Sequence, residues 1–175
     1  MGSPFLTDRE RFLDIKIISS SYHDKINKIL KECFGVTRPF FKDKIHFGKL
    51  ELVSYLNVTP MSIKLCGEEY KMGGICSVAT IPEFRHQGYA SALLESVLEW
   101  MVDQKFDIAI LYAADERLYN ALGFIKGPEQ LNKKPTSSCE GDILHIMVKV
   151  LNPEVIDFDV FKEDCLSSWK NISNF

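Results

Sequence analysis

Apolar and polar positions change their period repeatedly along this chain, and each change predicts an element. Phe12 to Ile18 alternates well enough for a strand. Tyr22, Ile26, Ile29, Leu30 and then Cys33 or Phe34 recur at helical spacing, with Ser19 to Ser21 in place to cap and Gly35 to stop. Arg38 to Gly48 has no period but carries Pro39, Phe40, Phe41 and Phe47, which suits either a mobile wall on the substrate side or a packed loop. Three strand patterns follow at Leu50 to Val58, Met61 to Cys66 and Gly73 to Ile81. A turn at Gly67-Glu68-Glu69 makes the last two antiparallel neighbours.

The clearest helix comes next. Ala90, Leu93, Leu94, Val97, Leu98 and Met101 form one stripe, with Ser91, Glu95, Glu99 and Asp103 largely opposite. Ile108 to Ala113 is a nearly continuous apolar run, as in a strand buried on both faces. Strand, loop, helix and strand in that order make a crossover whose two strands run parallel. A short helix from Glu116 to Leu122 ends at Gly123, and a strand starts at Phe124-Ile125. A polar loop then spans Gly127 to Gly141, and Ile143 to Val150 closes the sheet. The expected fold is α/β: a mixed, mostly antiparallel twisted sheet flanked by helices, with one parallel βαβ crossover. Residues 1–150 make one domain, and 151–175 form a tail too apolar to leave in water, with Phe158, Phe161 and Trp169.

Composition narrows the function. With 175 residues there is room for one full core, and 46% hydrophobic with 26% charged residues is ordinary globular usage. A net charge of −3 excludes the broad basic field expected of a nucleic-acid binder. The five cysteines are scattered without a C-x-x-C pair, so neither a metal site nor a disulfide framework is expected. No apolar run reaches the roughly 18 residues of a membrane span, and no signal-peptide core opens the chain. A cytoplasmic location is the expectation, and self-association is left open.

Chemistry concentrates in VATIPEFRHQGYA, Val78 to Ala90. A strand stops at Pro82, passes Arg85-His86-Gln87-Gly88, and turns at once into the long helix. The first N–H groups of a helix lack partners, and their dipoles favour an anion, phosphate above all. Gly88 removes the Cβ that would hold a phosphate off, Ala90 is small, and Arg85 adds a forked cation. Neither the G-x-x-x-x-G-K-[ST] nor the G-x-G-x-x-G phosphate loop is present. An ordinary βα turn with an exposed arginine fits the short motif as well.

The stretch resembles motif A of the GNAT superfamily of acetyl-CoA-dependent N-acetyltransferases, [QR]-x-x-G-x-[GA] between a strand and a long helix. Leu118-Tyr119-Asn120-Ala121-Leu122-Gly123-Phe124 is similar to that family's second signature. Gly73 to Leu94 together with LYNALGF resembles most the Eis-like branch. The resemblance implies a GNAT-type fold and acetyl-CoA as cosubstrate, bound in a gap between strands Gly73–Ile81 and Ile108–Ala113. Val78, Ala79 and Thr80 are then expected to offer backbone groups to the pantetheine arm and thioester. Arg85, His86, Gln87, Gly88, Tyr89, Ala90 and Ser91 would line the pyrophosphate, and Ala114 and Asp115 the pantetheine or acetyl end. Tyr119 matches the proton donor to the leaving sulfur. The acceptor would be a primary amine of a small molecule or peptide, attacking directly.

No acidic residue stands on Gly73 to Val78, where many members carry a base. Glu51, Glu68, Glu69, Asp115, Glu116, His46 and His145 are substitutes, and a water relay needs none of them. Cys76 lacks a His/Asp partner in sequence, so it reads as packing rather than as a nucleophile. Two other functions stay open: a non-catalytic acyl-CoA-binding or regulatory module, and an interaction domain whose loop meets no nucleotide.

Overall fold

A computed structural model describes residues 15–49, 52–65, 67–132, 143–154 and 156. Its strands are β1 (Ile15–Ile17), β2 (Ile45–Lys49), β3 (Ser54–Leu65), β4 (Glu68–Thr80), β5 (Ile108–Ala113), β6 (Ile125–Lys126) and β7 (His145–Val150). The α-helices are α1 (His23–Phe34), α2 (Tyr89–Asp103) and α3 (Arg117–Ala121). The strands form one sheet in the order β1-β2-β3-β4-β5-β7-β6. β4 and β5 run parallel across the α2 crossover, whereas β1–β2, β5–β7 and β6–β7 are antiparallel. This is the mixed α/β sheet expected from the pattern.

The chain forms two compact units, Met1–Asn57 with Ser77–Val97, and Val58–Cys76 with Leu98–Phe175. In the first, the apolar face of α1 (Ile26, Ile29, Leu30) is buried with Ile18, Leu52, Tyr55 and Ala79. Gly35 ends α1 at φ 67, and its N–H bonds the Lys31 carbonyl at 2.9 Å. In the second, Ile63, Leu65 and Met72 of the β3–β4 hairpin bury against Ile108 and Ile110 of β5 and Ile146 and Val148 of β7. Ile156 joins that core; the rest of the apolar tail from Asp157 onward lies outside the described residues.

Four expectations need correction. Ser19 makes no side-chain cap bond to a helix N–H; its hydroxyl meets that of Ser21 at 2.7 Å, and Ser20–Tyr22 form a 3-10 turn leading into α1. The end of the Arg38–Gly48 segment is strand, because Phe47 and Gly48 pair with Ile17 and Lys16. The strands expected on either side of Thr59-Pro60 are one strand, β3. Pro60 is exposed within that strand, and β2 with five residues cannot cover all twelve of β3. Of the turn expected at Gly67-Glu68-Glu69, Gly67 supplies the left-handed φ of 91, while Glu68 and Glu69 already belong to β4.

The parallel ladder is short. Met72, Gly73 and Gly74 pair with Ile108, Ala109 and Ile110, and the pairing does not extend to Ile75 and Leu111. Gly73 leaves room for α2: a Cβ there would collide with Met101 Cε and lie 3.1 Å from Val58 Cγ1. Ile110 sits at the centre of the second unit with no exposed surface. Ile110→Ala is therefore expected to cost about 2–5 kcal/mol in a urea melt. Ile125→Ala, at a site 40% exposed, should stay within about 0.5 kcal/mol.

Candidate functional site

The corner after β4 is held by main-chain and side-chain hydrogen bonds together. Pro82–Phe84 form a single 3-10 turn, with Phe84 N–H on the Ile81 carbonyl (2.9 Å) and Arg85 N–H on that of Pro82 (3.2 Å). Arg85 Nε then donates to the Thr80 carbonyl at 3.1 Å, and Gln87 Nε2 to the Glu83 carbonyl at 3.1 Å. His86 and Gly88 both take positive φ, 61 and 82. Gly88 adopts that conformation freely, whereas His86 does so at a steric cost that the two staples offset. The Phe84 and Tyr89 rings meet edge to face, centroids 6.0 Å apart.

The consequence lies in the hydrogen bonds. Ala92 N–H is the first of α2 to bond back, to the Gly88 carbonyl at 3.0 Å. Among the described residues, the main-chain N–H groups of His86, Gln87, Gly88, Tyr89, Ala90 and Ser91 meet no protein acceptor. Such a run of donors at the positive end of a fifteen-residue helix suits an anion.

Upstream, Ser77 takes φ 56 and interrupts the pleat of β4 just before the residues expected to face a thioester. Ala79 is buried, with its carbonyl accepting from the Ser54 hydroxyl at 3.1 Å. The Thr80 carbonyl accepts from Cys33 Sγ (3.3 Å) as well as from Arg85. Val78 and Thr80 are half-buried. The kink at Ser77 carries no sequence signal, since serine is common in strands and turns alike.

In the second unit Ala114 and Asp115 are exposed beyond β5. Asp115 is clamped by Arg117, with Oδ1 and Oδ2 each 3.0 Å from Nε and Oδ2 2.5 Å from Nη2. That guanidinium, with the Arg117 N–H, draws the Asp115 carboxyl down to about 2. Tyr119 lies on α3, edge-on to Phe124 at 6.0 Å. Burial first, then the Asp115 charge, pushes its phenol up to about 12.

The substitute bases fare differently. His46 is buried and bonded through both ring nitrogens, to the Tyr55 hydroxyl (2.7 Å) and the Phe41 carbonyl (2.9 Å). Glu116 pairs with Lys126 at 2.9 Å and lies 3.8 Å from His145, whose other nitrogen is 3.4 Å from Asn132. Glu68 and Glu69 are exposed, and Glu51 lies outside the described residues. Cys76 Sγ contacts the Gly74 carbonyl at 3.7 Å. Among the described residues no three His, Cys, Asp or Glu side chains gather as metal ligands, and no helix is long and apolar enough to cross a membrane.

Sheet order, the parallel β4–β5 ladder and a strand-to-helix corner lined with amides define the class of α/β fold. The chain belongs to the GNAT acetyltransferases: the family profile described as acetyltransferase (GNAT) domain matches residues 14–126. A GCN5-related N-acetyltransferase from Kribbella flavida is 25% identical with a TM-score of 0.59, over 65% of this chain and 33% of that one. Eis1 from Mycobacterium abscessus is 14% identical with a TM-score of 0.58, again over 65% of this chain and 32% of the other. The chain thus spans about a third of the length of these relatives. Arabidopsis thaliana NAA60, solved with acetyl-CoA, is 14% identical with a TM-score of 0.65, over 79% of this chain and 98% of NAA60. No curated protein matches the chain significantly by sequence.

Because Asp115 is drawn down by Arg117, its ionised form should persist as pH falls until about 2. A carboxyl-detected NMR titration should find that midpoint, and Arg117→Ala should return it towards about 3.9. An unchanged midpoint in the variant would remove Arg117 as the cause.

Proposed function

We propose that the chain is an N-acetyltransferase that moves the acetyl group of acetyl-CoA to a primary amine. The open N–H groups of His86 to Ser91 carry this reading. They match the donor array a pyrophosphate needs, and Arg85, tied by one N–H to Thr80, keeps further donors for the same charge. The pantetheine arm would run along Val78 to Thr80, with Ala114 and Asp115 towards its acetyl end, as the family resemblance has it. The likeness to Eis1 supports placing the chain near the Eis-like branch, and residues 1–150 as the catalytic domain. Cytoplasmic residence fits an acetyl-CoA-dependent activity.

The amine lone pair attacks the thioester carbon, the C–N bond forms, and C–S cleavage sends its electron pair to sulfur. The nitrogen loses one proton and the sulfur gains one, giving an amide and free CoA. Positioning supplies much of the rate. A main-chain N–H near Val78 to Thr80 would stabilise the oxyanion. Tyr119 takes the role of donor to sulfur. At about 12 it keeps its proton throughout the physiological range, but it is a weaker acid than a thiol of about 8.5. Transfer of its proton to the departing thiolate is therefore uphill, and is completed only as the proton lost by nitrogen, relayed by water, returns to the tyrosinate.

Calorimetric titration with acetyl-CoA tests the cofactor assignment. Gly88→Glu should abolish binding, since it sets bulk and negative charge at a left-handed φ of 82; wild-type affinity in that variant would refute the loop. Tyr119→Phe should cut kcat roughly 100-fold, within the span of acid catalysis, with acetyl-CoA affinity nearly intact. Binding without amine-dependent release of CoA thiol would instead favour the non-catalytic module.

A further inference from the structure

Tyr119 sits on α3, a helix of five residues and too short to be stable alone. What fixes its phenol is therefore whatever ties this turn to the sheet of the second unit. The Tyr119 carbonyl accepts from the N–H groups of Leu122 and Phe124, both at 3.0 Å. Its ring lies edge-on to that of Phe124, which is buried. The segment from Tyr119 to Phe124 thus behaves as one turn.

Lys149 reaches that turn from β7. Its Nζ donates to the carbonyl of Leu122, the residue that caps α3. Two hydrogen bonds then join the strand to Tyr119: Lys149 Nζ to the Leu122 carbonyl, and Leu122 N–H to the Tyr119 carbonyl. β7 is a rigid support because it lies between β5 and β6, with Lys149 in register with Ala109 of β5. Gly123 makes the approach possible. A Cβ there would lie 3.1 Å from Lys149 Nζ, closer than such contacts normally are. Gly123 therefore both ends α3 at a φ of 80 and admits the ammonium.

The other ion pairs of α3 hold it less well. Asp115 and Arg117 are exposed and bond one another, so neither reaches the sheet. Glu116 meets Lys126 of β6 at 2.9 Å, but the lysine is 59% exposed, where an ion pair is worth little. Lys149 is half-buried, and among the described residues its ammonium meets no carboxylate. Its charge is directed at the carbonyl, which strengthens that bond over a neutral one.

We infer that Lys149 is a positioning residue for acetyl transfer, holding the turn from Tyr119 to Phe124 on β7 so that the phenol stays within reach of the departing sulfur. No proton of the reaction passes through Lys149; it acts through Tyr119 alone. The inference rests on Tyr119 as the proton donor proposed above, and it adds the residue that aims it. A misplacement of about 1 Å can cost roughly 100-fold in rate, so one such tie matters.

The test uses the full chain, acetyl-CoA and benzylamine as the primary-amine probe, with release of CoA thiol as the rate. Lys149→Met removes the donor while keeping an unbranched stem, and Lys149→Arg keeps a cationic donor. The Met variant should lose about ten-fold in kcat with acetyl-CoA affinity, by calorimetry, within about two-fold of wild type. The Arg variant should recover to within about three-fold of wild type. Lys149→Met added to Tyr119→Phe should bring no further loss, since the two act as a unit. Amide exchange followed by NMR should find Leu122 and Phe124 N–H less protected in the Met variant and restored by Arg. That readout needs no turnover, so it judges the anchor separately from the acetyltransferase reading, which fails alone if the wild type releases no thiol with amine. Unchanged kcat or unchanged protection in the Met variant, additive losses in the double variant, or a fall in acetyl-CoA affinity in place of kcat would overturn the inference. Should the Met variant not fold, a scalar coupling between Lys149 Nζ and the Leu122 carbonyl carbon is read on the wild-type chain; its absence would have the same consequence.

Discussion

A strand that becomes a helix within a few residues must leave main-chain donors without acceptors, and this chain makes that constraint its central feature. Among the described residues the amides from His86 to Ser91 meet no protein partner, because β4 has ended and α2 has not yet begun to bond back. The loop would be costly if these groups were buried. They are not: residues 86–88 are exposed, and the shape is kept by Arg85 on Thr80 and Gln87 on Glu83. Side chains hold the geometry so that the backbone can remain available.

Neighbouring features serve the same end. The ladder between β4 and β5 stops after Gly74 and Ile110, and Ser77 then bends β4 through a positive φ. The residues that follow are tied on their carbonyl side by Ser54, Cys33 and Arg85. A main chain so fixed is preorganised, which is the condition under which a backbone N–H stabilises developing charge without reorganising. In the second unit, Tyr119 has been made a stable carrier of its proton by burial, at the expense of acid strength.

The first unit also holds a chain of buried polar groups. Phe41, His46, Tyr55 and Asn57 form a chain in which each donor has one acceptor until Asn57 Oδ1 is reached. Satisfied networks of this kind lock a single arrangement.

Much of this was legible in the sequence, and the boundary has a physical basis. Helical stripes, the continuous apolar run of β5 and the glycine stops of α1 and α3 are local patterns, read within a turn or a strand pair. The corner was legible because a phosphate-like site needs a particular residue, glycine, at a particular position beside a helix start. Pro60 misled because a proline's cost depends on whether a neighbouring strand needs its N–H, which is a property of the sheet. Strand β2 was hidden because its pairing partner lies some thirty residues away. The left-handed Ser77 and the Asp115–Arg117 clamp are local, but neither residue type nor spacing fixes a backbone angle or a side-chain rotamer. The sequence by itself determined the helices, the crossover and the amide-bearing loop, since those follow from periodicity and backbone sterics. Only the tertiary structure decided which polar groups find partners and which are left to a ligand, since desolvation and hydrogen bonding are settled by what packs around a group.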